Sequence, residues 1–446
     1  MPSKLPAELL TAGLLLGAMQ AATAGNAAIE PNCHIGTYHF AQQPDIDIGP
    51  GEPGKLRWRR TDGTTGELTR TPGGDWVSTR GWTGKPDGLH VTFASCESGT
   101  VRFDGSPGTR VAFDVTDTKF AVEDAVLAGR LVLPKGTGKV PIVILIHGSE
   151  HDSAREDYAL QRQFPASGIG AFVYDKRGTG GSTGDYTQDY LVLATDAIAA
   201  LHEAKRLASA RAGRVGYQGG SQGGWVAPLA ALVEPVDFVV VCFGLAVSPL
   251  QEDREAIALD VTRHGYGPEV MAKAMEIADA SAAILNSNFQ DGYDRLAALR
   301  TRYQSEPWFH DIHGDVTWVL LAQSPEELRV AGPKLFAGVP LHYDPMPVLR
   351  NLKVPQLWIL GEDDVDAPSA ETARRLRALT AAGHAISVAV FPHAEHGIYE
   401  YETAADGTRL STRQPDGYLR MMEDFIRHGS LERAYGTAVI TGATDH

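Results

Sequence analysis

The stretch RVGYQGGSQGGWVAPLAAL, residues 214–232, contains the signal that decides the fold. Residues 214–218 have the character of a buried strand, and residues 225–232 have that of an apolar helix. Between them lies the pattern G-x-S-x-G, residues 219–223, with Ser221 at its centre. A serine in a sharp turn between strand and helix is typical of a catalytic nucleophile, because the helix N-terminus offers positive potential to a developing anion. We therefore predict that Ser221 is a nucleophile, and a structural turn that merely contains a serine is the competing interpretation.

A second G-x-S-x-G pattern, residues 180–184, is centred on Ser182. No strand leads directly into it, and the polar residues Asp185, Tyr186 and Thr187 follow instead of an apolar helix. The pattern lacks the strand–turn–helix setting that a nucleophile of this kind needs. We predict a glycine-rich loop here.

A serine nucleophile needs a general base, and the base needs an orienting acid. In a sheet of this kind the chain order is serine, acid, histidine. Residues 361–368 follow a predicted strand and carry four carboxylates. We favour Asp364 as the acid, since it lies on the loop three residues past a glycine, and Asp363 and Asp366 remain alternatives.

The candidate base follows the last predicted strand, in the segment FPHAEHG, residues 391–397. His396 directly precedes a glycine and lies deeper in the loop than His393. We therefore favour His396, with His393 as the alternative. An ordinary surface histidine is the competing interpretation of either residue.

The negative charge that develops during acyl transfer needs hydrogen-bond donors. The backbone N–H of Gln222, directly after Ser221, is one candidate. The other is expected from residues 147–150, which follow an apolar strand predicted at 141–146, and Ser149 is our choice. A plain turn at this point is the competing interpretation.

Composition limits the function classes. The chain has 446 residues, of which 43% are hydrophobic and 21% charged, so it can bury a sizeable core. Lys plus Arg number 40 and Asp plus Glu 55, a net charge of −15, which argues against a general nucleic-acid binder. No H-E-x-x-H or C-x-x-C pattern occurs, and we predict no metal and no cofactor.

Hydrophobic patterning divides the chain into regions. From about residue 127, apolar runs without polar alternation recur between helical patterns, which predicts a mostly parallel sheet with helices on both faces. About 100 residues interrupt this alternation, with helical patterns such as residues 268–286 and 293–303, and predict a cap over the carboxyl edge of the sheet. The predicted regions are a signal peptide at 1–24, a small β-rich domain at 25–115, an α/β domain at 116–430 with its cap at about 247–345, and a C-terminal tail at 431–446.

The N-terminal regions predict export. Lys4, the apolar stretch 9–19 and the small residues 22–24 form a signal-peptide pattern, so we expect a periplasmic or secreted protein without stable membrane insertion. In such a compartment Cys33 and Cys96 are expected to form a disulfide.

Two further expectations concern single residue types. Cys242 lies in an apolar run and is expected to be an inert buried thiol. The β-rich region holds Trp58, Trp76 and Trp82, for which packing in a β core is favoured over a sugar-binding platform.

With these motifs in order, the segment from about residue 127 to 429 resembles the α/β-hydrolase superfamily. The resemblance rests on His147-Gly148-Ser149, Tyr174-Asp175-Lys176-Arg177-Gly178, the G-x-S-x-G of Ser221, the acidic loop at 361–368 and His396-Gly397. Within the superfamily, the chain is similar to bacterial secreted hydrolases of the serine aminopeptidase-like or dienelactone-hydrolase-like esterase type. The resemblance implies a triad of Ser221, Asp364 and His396. Glu150 departs from it, since relatives often have glycine there, so an acidic group either lies near the site or points to solvent.

These observations predict a carboxylic-ester hydrolase that acts on a small-molecule ester or acyl substrate through an acyl-enzyme. Peptidase activity of the prolyl-oligopeptidase type, and thioesterase or acyltransferase activity on the same triad, are the alternatives, because fold and triad do not fix the leaving group. A non-enzymatic binding protein is disfavoured because all three triad residue types are present. The sequence does not predict an oligomeric state.

Overall fold

The computed structural model describes residues 33–442. The predicted signal peptide, residues 1–24, therefore lies outside the described residues. The described chain forms two compact units, one of residues 33–251 and 338–442 and the other of residues 252–337. The first unit contains a β-barrel and an α/β sheet, and the second is helical.

The N-terminal part of the larger unit is a closed barrel in which each strand pairs antiparallel with its neighbour in the chain, and the first pairs with the last. Its strands are β1 (Gly36–Phe40), β2 (Ile46–Pro50), β3 (Lys55–Arg60), β4 (Thr65–Arg70), β5 (Trp76–Arg80), β6 (Pro86–Phe93), β7 (Thr100–Phe103) and β8 (Ser106–Arg110). Alternating side chains fill the interior, among them the buried Trp58 and Trp76, whereas Trp82 is 38% exposed. Cys33 and Cys96 are joined by a disulfide in this region.

The larger sheet follows the barrel. Its strands are β9 (Phe113–Val122), β10 (Ala125–Pro134), β11 (Val140–Ile146), β12 (Gly170–Tyr174), β13 (Ala212–Gly220), β14 (Val239–Cys242), β15 (Gln356–Gly361), β16 (Ile386–Phe391) and β20 (Val439–Thr441). Their spatial order is β20-β16-β15-β14-β13-β11-β12-β10-β9. The six strands from β11 to β16 are parallel, and antiparallel strands flank them on both sides.

Helices connect these strands and form the second unit. They are α1 (Ala154–Asp157), α2 (Leu160–Ala166), α3 (Tyr190–Ala208), α4 (Gly223–Val233), α5 (Pro249–Arg263), α6 (Pro268–Asn286), α7 (Tyr293–Tyr303), α8 (Thr317–Ala322), α9 (Pro325–Leu335), α10 (Met346–Asn351), α11 (Ser369–Ala381) and α12 (Tyr418–His428), with short 3-10 helices at Ser209–Arg211 and Pro307–His310. None of the helices within residues 33–442 combines the length and apolar character that a membrane span requires.

Both faces of the sheet are covered. Residues of α3, α4, α10 and α11 share one core with alternate residues of the sheet, and residues of α2 and α12 share a second core with the intervening ones. Strand β11 shows the alternation, since Ile142 and Ile144 face the first core and Val143 and Leu145 face the second. Burial on both faces explains why these strands are uniformly apolar in sequence.

The sheet reverses its winding direction at β11, which has β12 on one side and β13 on the other. In open α/β sheets, ligands bind at the carboxyl ends of the strands at such a reversal. The loops after β11 and β13 contain Ser149 and Ser221, so the fold places the predicted site at this reversal.

The helical unit buries apolar residues of α6, α7 and α8 and one carboxylate group. Asp253 is buried and accepts hydrogen bonds from the backbone N–H groups of Val316 and Thr317, at 2.7 and 2.9 Å, and from the Thr317 hydroxyl. It thereby satisfies donors at the start of α8 that would otherwise lack partners. Helices α6 and α7 have the bounds that the sequence pattern indicates.

Two boundaries differ from the sequence-based expectation. Strand β9 begins at Phe113 and pairs with β10 along its whole length, so the α/β sheet starts before residue 116. The segment expected to be a tail contains β20, which pairs antiparallel with β16 and closes that edge of the sheet. A three-residue strand has no periodic pattern to detect, which is why the sequence indicated a tail.

A small sheet of three strands lies after β16. It consists of β17 (Ala394–Glu395), β18 (Tyr399–Thr403) and β19 (Arg409–Arg413), paired antiparallel in that order. His396 lies in the tight turn between β17 and β18, which is closed by a 3.0 Å hydrogen bond from Ile398 N–H to the Glu395 carbonyl.

Candidate active site

Ser221 occupies the turn between β13 and α4. Its φ is +51°, a left-handed conformation that is unfavourable for a residue with a side chain and therefore marks strain of the kind found at functional sites. A 3.1 Å hydrogen bond from its N–H to the Cys242 carbonyl holds the turn against β14. A Cβ on Gly219 would lie 2.4 Å from the Gly223 carbonyl oxygen, so this approach of strand and helix requires glycine.

The loop after β11 lies beside this turn. A Cβ built on Gly148 would lie only 3.5 Å from the Cβ of Ser221. The next residue, Ser149, is exposed, whereas Gln222 is buried at the start of α4. Gly148, which precedes Ser149, and Gln222, which follows Ser221, therefore lie in the immediate surroundings of Ser221.

Asp364 and His396 form a hydrogen-bonded acid–base pair. Nδ1 of His396 lies 2.9 Å from Oδ2 of Asp364, whose side chain is 1% exposed. The other oxygen of Asp364 accepts hydrogen bonds from the backbone N–H groups of Asp366 and Ala367, at 3.1 and 2.8 Å. Because both oxygens are engaged, the carboxylate has a fixed orientation and fixes that of the imidazole.

The charge around His396 alters its proton affinity. Burial by itself lowers the pKa of His396, but the charge and hydrogen bond of Asp364, together with the charges of Asp366 and Glu395, outweigh burial and raise the pKa above its ordinary value. An imidazole in this setting can accept a proton and hold it as a stabilised cation, as a general base must.

Phe243, directly after β14, contacts both His396 and the glycine that precedes Ser221. Its ring contacts that of His396 edge to face, with centroids 4.9 Å apart. The same ring faces Gly220, on which a Cβ would lie 2.7 Å from the phenyl carbon Cζ. Within residues 33–442 the structure gives His396 a side-chain hydrogen bond to Asp364 and none to Ser221. A hydrogen bond between a catalytic serine and its histidine commonly forms or shortens only when substrate is bound.

The competing acid and base candidates have other surroundings. Asp363 accepts a 2.7 Å hydrogen bond from the Tyr401 hydroxyl, and its partner histidine is His393 at 3.6 Å. His393 is 87% exposed, compared with 27% for His396. Asp366 is exposed and contacts the Asp364 carboxylate through its backbone N–H. The structure brings Asp364 and His396 together and leaves the other three outside that pair.

The hydroxyl of Ser182 is engaged in hydrogen bonds to the backbone. It donates a 2.7 Å hydrogen bond to the Asp175 carbonyl and accepts one of 2.9 Å from Ala128 N–H. These contacts tie the glycine-rich loop to β10 and to the residue that follows β12. Cys242 is also unsuited to act as a nucleophile, because burial raises the pKa of its thiol to about 11.

Lys176 is a residue of this site that the sequence did not single out. Its side chain is buried, and Nζ donates to the Gly148 carbonyl at 2.6 Å and to Oε1 of Gln222 at 3.3 Å. The Gly148 carbonyl and the Ser149 N–H belong to one trans peptide, so the ammonium group fixes the direction of that N–H. Lys176 therefore contacts both predicted oxyanion-binding segments. The only sequence signal was a lysine two residues after a strand, within the motif of residues 174–178.

The electrostatic state of Lys176 suits this contact. Burial lowers the pKa of Lys176 to about 8, and the nearby Glu150 carboxylate opposes that shift. The side chain is therefore still mainly protonated at neutral pH. A charged donor strengthens a hydrogen bond to a carbonyl and polarises the attached peptide.

Replacement of Lys176 tests this contact. We expect Lys176→Met to lower kcat for an ester by about 10- to 100-fold while KM stays within about threefold. Without the ammonium group the backbone N–H groups of Ser149 and Gln222 would be misdirected, and these donors bind the oxyanion of the transition state more strongly than the carbonyl of the bound substrate. Steady-state kinetics, with thermal unfolding as the control for folding, measures the effect. A folded variant with the kcat of the wild type would contradict the role.

Glu150 turns inward. It accepts hydrogen bonds from the Tyr158 hydroxyl and, at 3.3 Å, from Gly148 N–H. Burial by itself raises the pKa of Glu150, but the His147 imidazole 3.4 Å away, the Tyr158 hydroxyl and the Lys176 charge outweigh it and lower the pKa to about 2. The departure from the family pattern thus places an ionised carboxylate next to the Gly148 backbone.

Among the described residues, the group with the spacing of a metal site is Cys33, His34 and Cys96. Its two sulfur atoms are joined in the disulfide, so they do not offer thiolate ligands in this state. The arrangement around Ser221 contains a hydroxyl, an imidazole and a carboxylate, which together suit acyl transfer.

The strand order, the turn at Ser221 after β13, and the loops that carry Asp364 after β15 and His396 after β16 identify the fold. The chain has the α/β-hydrolase fold. A family model described as X-Pro dipeptidyl-peptidase (S15 family) matches residues 123–334 of this α/β-hydrolase chain. That match, with the site geometry, supports a serine hydrolase. A search of the curated proteins found no match.

Solved structures similar to this α/β-hydrolase chain include esterases and peptidases. An esterase of Pyrococcus furiosus is 18% identical, with 64% of this chain and 84% of the esterase covered and a TM-score of 0.40. An acylaminoacyl peptidase of Pyrococcus horikoshii is 14% identical, with 88% of this chain but only 57% of the peptidase covered and a TM-score of 0.43. A proline iminopeptidase of Mycobacterium smegmatis is 19% identical, with 63% and 91% covered and a TM-score of 0.39.

Proposed function

We propose that this protein hydrolyses carboxylic esters through an acyl-enzyme formed on Ser221, with His396 as the base and Asp364 as the orienting acid. The observation that carries the proposal is the 2.9 Å pair of Asp364 and His396 at the same sheet edge as the strained turn of Ser221. The proposal requires no metal and no cofactor.

The mechanism follows from which atoms are engaged. Nδ1 of His396 is bonded to Asp364, so Nε2 is the nitrogen that takes the proton of the Ser221 hydroxyl as its oxygen attacks the acyl carbonyl. The N–H groups of Ser149 and Gln222 receive the developing oxyanion, and Lys176 holds both segments in place. His396 then protonates the departing alkoxide. Water then attacks the acyl group and gives a proton to the same imidazole. As the bond between the acyl carbon and the Ser221 oxygen breaks, the imidazolium returns that proton to the oxygen, which releases the acid and free Ser221.

Ester cleavage is the reaction that this arrangement supports with the fewest further requirements. An alkoxide leaves the tetrahedral intermediate more readily than an amine, which must be protonated before it departs. A triad able to cleave an amide therefore also cleaves a comparable ester, whereas the reverse does not hold.

Amide cleavage is the second candidate. The match to the X-Pro dipeptidyl-peptidase family favours it. The raised pKa of His396 stabilises the protonated imidazole, which can donate the proton that a departing amine needs. Thioester cleavage uses the same residues and forms the third arm of the test.

A substrate panel on purified protein tests the proposal. We expect p-nitrophenyl acetate and butyrate to be hydrolysed with a kcat/KM at least tenfold above those of matched acyl-p-nitroanilides and of Xaa-Pro-p-nitroanilides, with acyl thioesters as the third set. Faster cleavage of a dipeptidyl anilide than of any ester would replace the ester proposal with the peptidase. Loss of every activity in Ser221→Ala is the control against a contaminating enzyme.

A further inference from the structure

The barrel packs against the hairpin of β18 and β19, which follows the turn containing His396. Trp82, in the loop between β5 and β6, donates its backbone N–H to the Ser411 carbonyl at 2.8 Å. Its indole meets the ring of Tyr399, the first residue of β18, edge to face with centroids 4.7 Å apart. The guanidinium of Arg57 lies 3.9 Å from the centre of the same indole.

Two backbone contacts bring the barrel still closer to His396. Thr64 forms an isolated antiparallel bridge with Arg413 of β19, and Gln414 N–H donates to the Gly63 carbonyl at 3.0 Å. The side chain of Gln414 then donates to the carbonyl of Gly397 at 3.3 Å. Gly397 directly follows His396, so one chain of contacts leads from the barrel wall to the imidazole turn.

The approach of the two surfaces is close enough to require glycine. A Cβ on Gly81 would lie 2.5 Å from the carbonyl oxygens of Ser411 and Thr412, and a Cβ on Gly63 would lie 2.1 Å from that of Gln414. Barrel backbone and hairpin backbone are thus in direct contact. A rigid contact of this kind transmits position, unlike one made by long flexible side chains.

The same hairpin holds the acid loop. Tyr401 of β18 donates its hydroxyl to the Asp363 carboxylate, and Arg409 of β19 donates to the Asp363 backbone carbonyl, both at 2.7 Å. The guanidinium of Arg409 also lies 4.1 Å from the centre of the Tyr401 ring. Because Asp363 directly precedes Asp364, the hairpin contacts the segments that carry both members of the acid–base pair.

We propose that the N-terminal barrel positions the acid–base pair of the active site, acting through the β18–β19 hairpin, with Trp82 as the main positioning residue on the barrel. The inference rests on the proposed roles of Ser221, Asp364 and His396. It assigns the barrel a part in catalysis without contact to substrate.

The size of the effect follows from how sharply proton transfer depends on geometry. A displacement of about 1 Å in a catalytic group can cost about 10²-fold in rate. We therefore expect Trp82→Ala to lower kcat by about tenfold or more while KM stays within about threefold, since substrate contacts are retained. Trp82→Phe keeps an aromatic edge against Tyr399 and should restore most of kcat.

The control variant, Arg162→Ala, removes a contact between the barrel and helix α2 instead of one between the barrel and the hairpin. Arg162 of α2 forms a two-bond ion pair with Asp47 of β2, at 2.6 and 2.9 Å, and these contacts do not involve the hairpin. Arg162→Ala is expected to lower the melting temperature while leaving kcat within about twofold. Gln414→Ala provides a second test, because it removes the contact to Gly397 without altering the barrel, and it too should lower kcat with KM unchanged.

The experiment measures kcat, KM and melting temperature of the full-length variants on one p-nitrophenyl ester, with the rate of labelling by a fluorophosphonate. Slower labelling and lower kcat in Trp82→Ala and Gln414→Ala, but not in Arg162→Ala, supports the inference. Equal loss of kcat in all three variants, or a lowered melting temperature with unchanged kcat in Trp82→Ala, would overturn it. A wild-type protein that is not labelled at all would instead refute the proposed function.

Discussion

Ser221→Ala is expected to lower kcat for an ester by several orders of magnitude, toward the loss of about 10⁶-fold that removal of a triad serine can cause. The variant keeps the strained turn and the donors around it but has no oxygen to form the acyl-enzyme. Stability should not fall, because no side-chain hydrogen bond of Ser221 is lost among the described residues and alanine fits the same backbone. Ester hydrolysis with thermal unfolding measures both effects.

Ser182→Ala is the matched control, since it alters the serine of the other G-x-S-x-G pattern. It removes hydrogen bonds to Asp175 and Ala128 and should cost about 1 kcal/mol of stability while kcat is retained. Activity retained in Ser221→Ala but lost in Ser182→Ala would reverse the choice of nucleophile.

Asp364→Asn is the second substitution with a large expected effect. Asparagine keeps the shape of the side chain but removes the charge, so His396 loses the partner that orients it and stabilises its cation. We expect kcat to fall by about 10⁴-fold, the loss seen when a triad aspartate becomes an amide. Asp363→Asn and Asp366→Asn should each stay within about tenfold of the wild type.

The pH dependence gives an independent readout of the same contact. The base must be neutral, so kcat/KM falls as the pH drops through the pKa of His396. Asp364 raises that pKa, and the acid limb of the wild-type profile should lie above about pH 6.5, the ordinary value for histidine. In Asp364→Asn the residual activity should have its limb at lower pH. An unmoved limb, or a larger loss in Asp363→Asn, would assign the acid elsewhere.

The parts of the fold that sequence predicts are those fixed by local pattern. The strand, turn and helix around Ser221 are contiguous and strongly apolar, and the structure contains β13 and α4 there. Helices α6 and α7 likewise follow from their own periodicity. Uniformly apolar strands indicated a sheet covered on both faces because burial on two sides leaves no polar positions.

Pairing between distant segments could not be predicted in this way. Closure of the barrel depends on β1 meeting β8, and the edge strand β20 depends on β16, although neither has a distinctive pattern. The hairpin of β18 and β19 consists of half-buried, mixed residues that resemble a loop in sequence. The positioning role that we propose for this hairpin could be inferred only from its contacts with the barrel and with Asp363.

In the candidate site, too, contacts between residues that are distant in sequence could not be predicted from local pattern. Sequence restricted the acid to a short loop, but the choice of Asp364 depends on which carboxylate the loop turns toward His396. Lys176 has the sequence character of a surface lysine, and only packing reveals its burial against Gly148 and Gln222.

Mapping of a covalent adduct tests the central proposal most directly. The wild-type protein would be treated with a fluorophosphonate, digested, and analysed by tandem mass spectrometry to locate the modified residue. We expect a single adduct on Ser221, formed more slowly in His396→Ala and absent in Ser221→Ala. An adduct on Ser182, or no adduct in a folded protein that still hydrolyses esters, would contradict it.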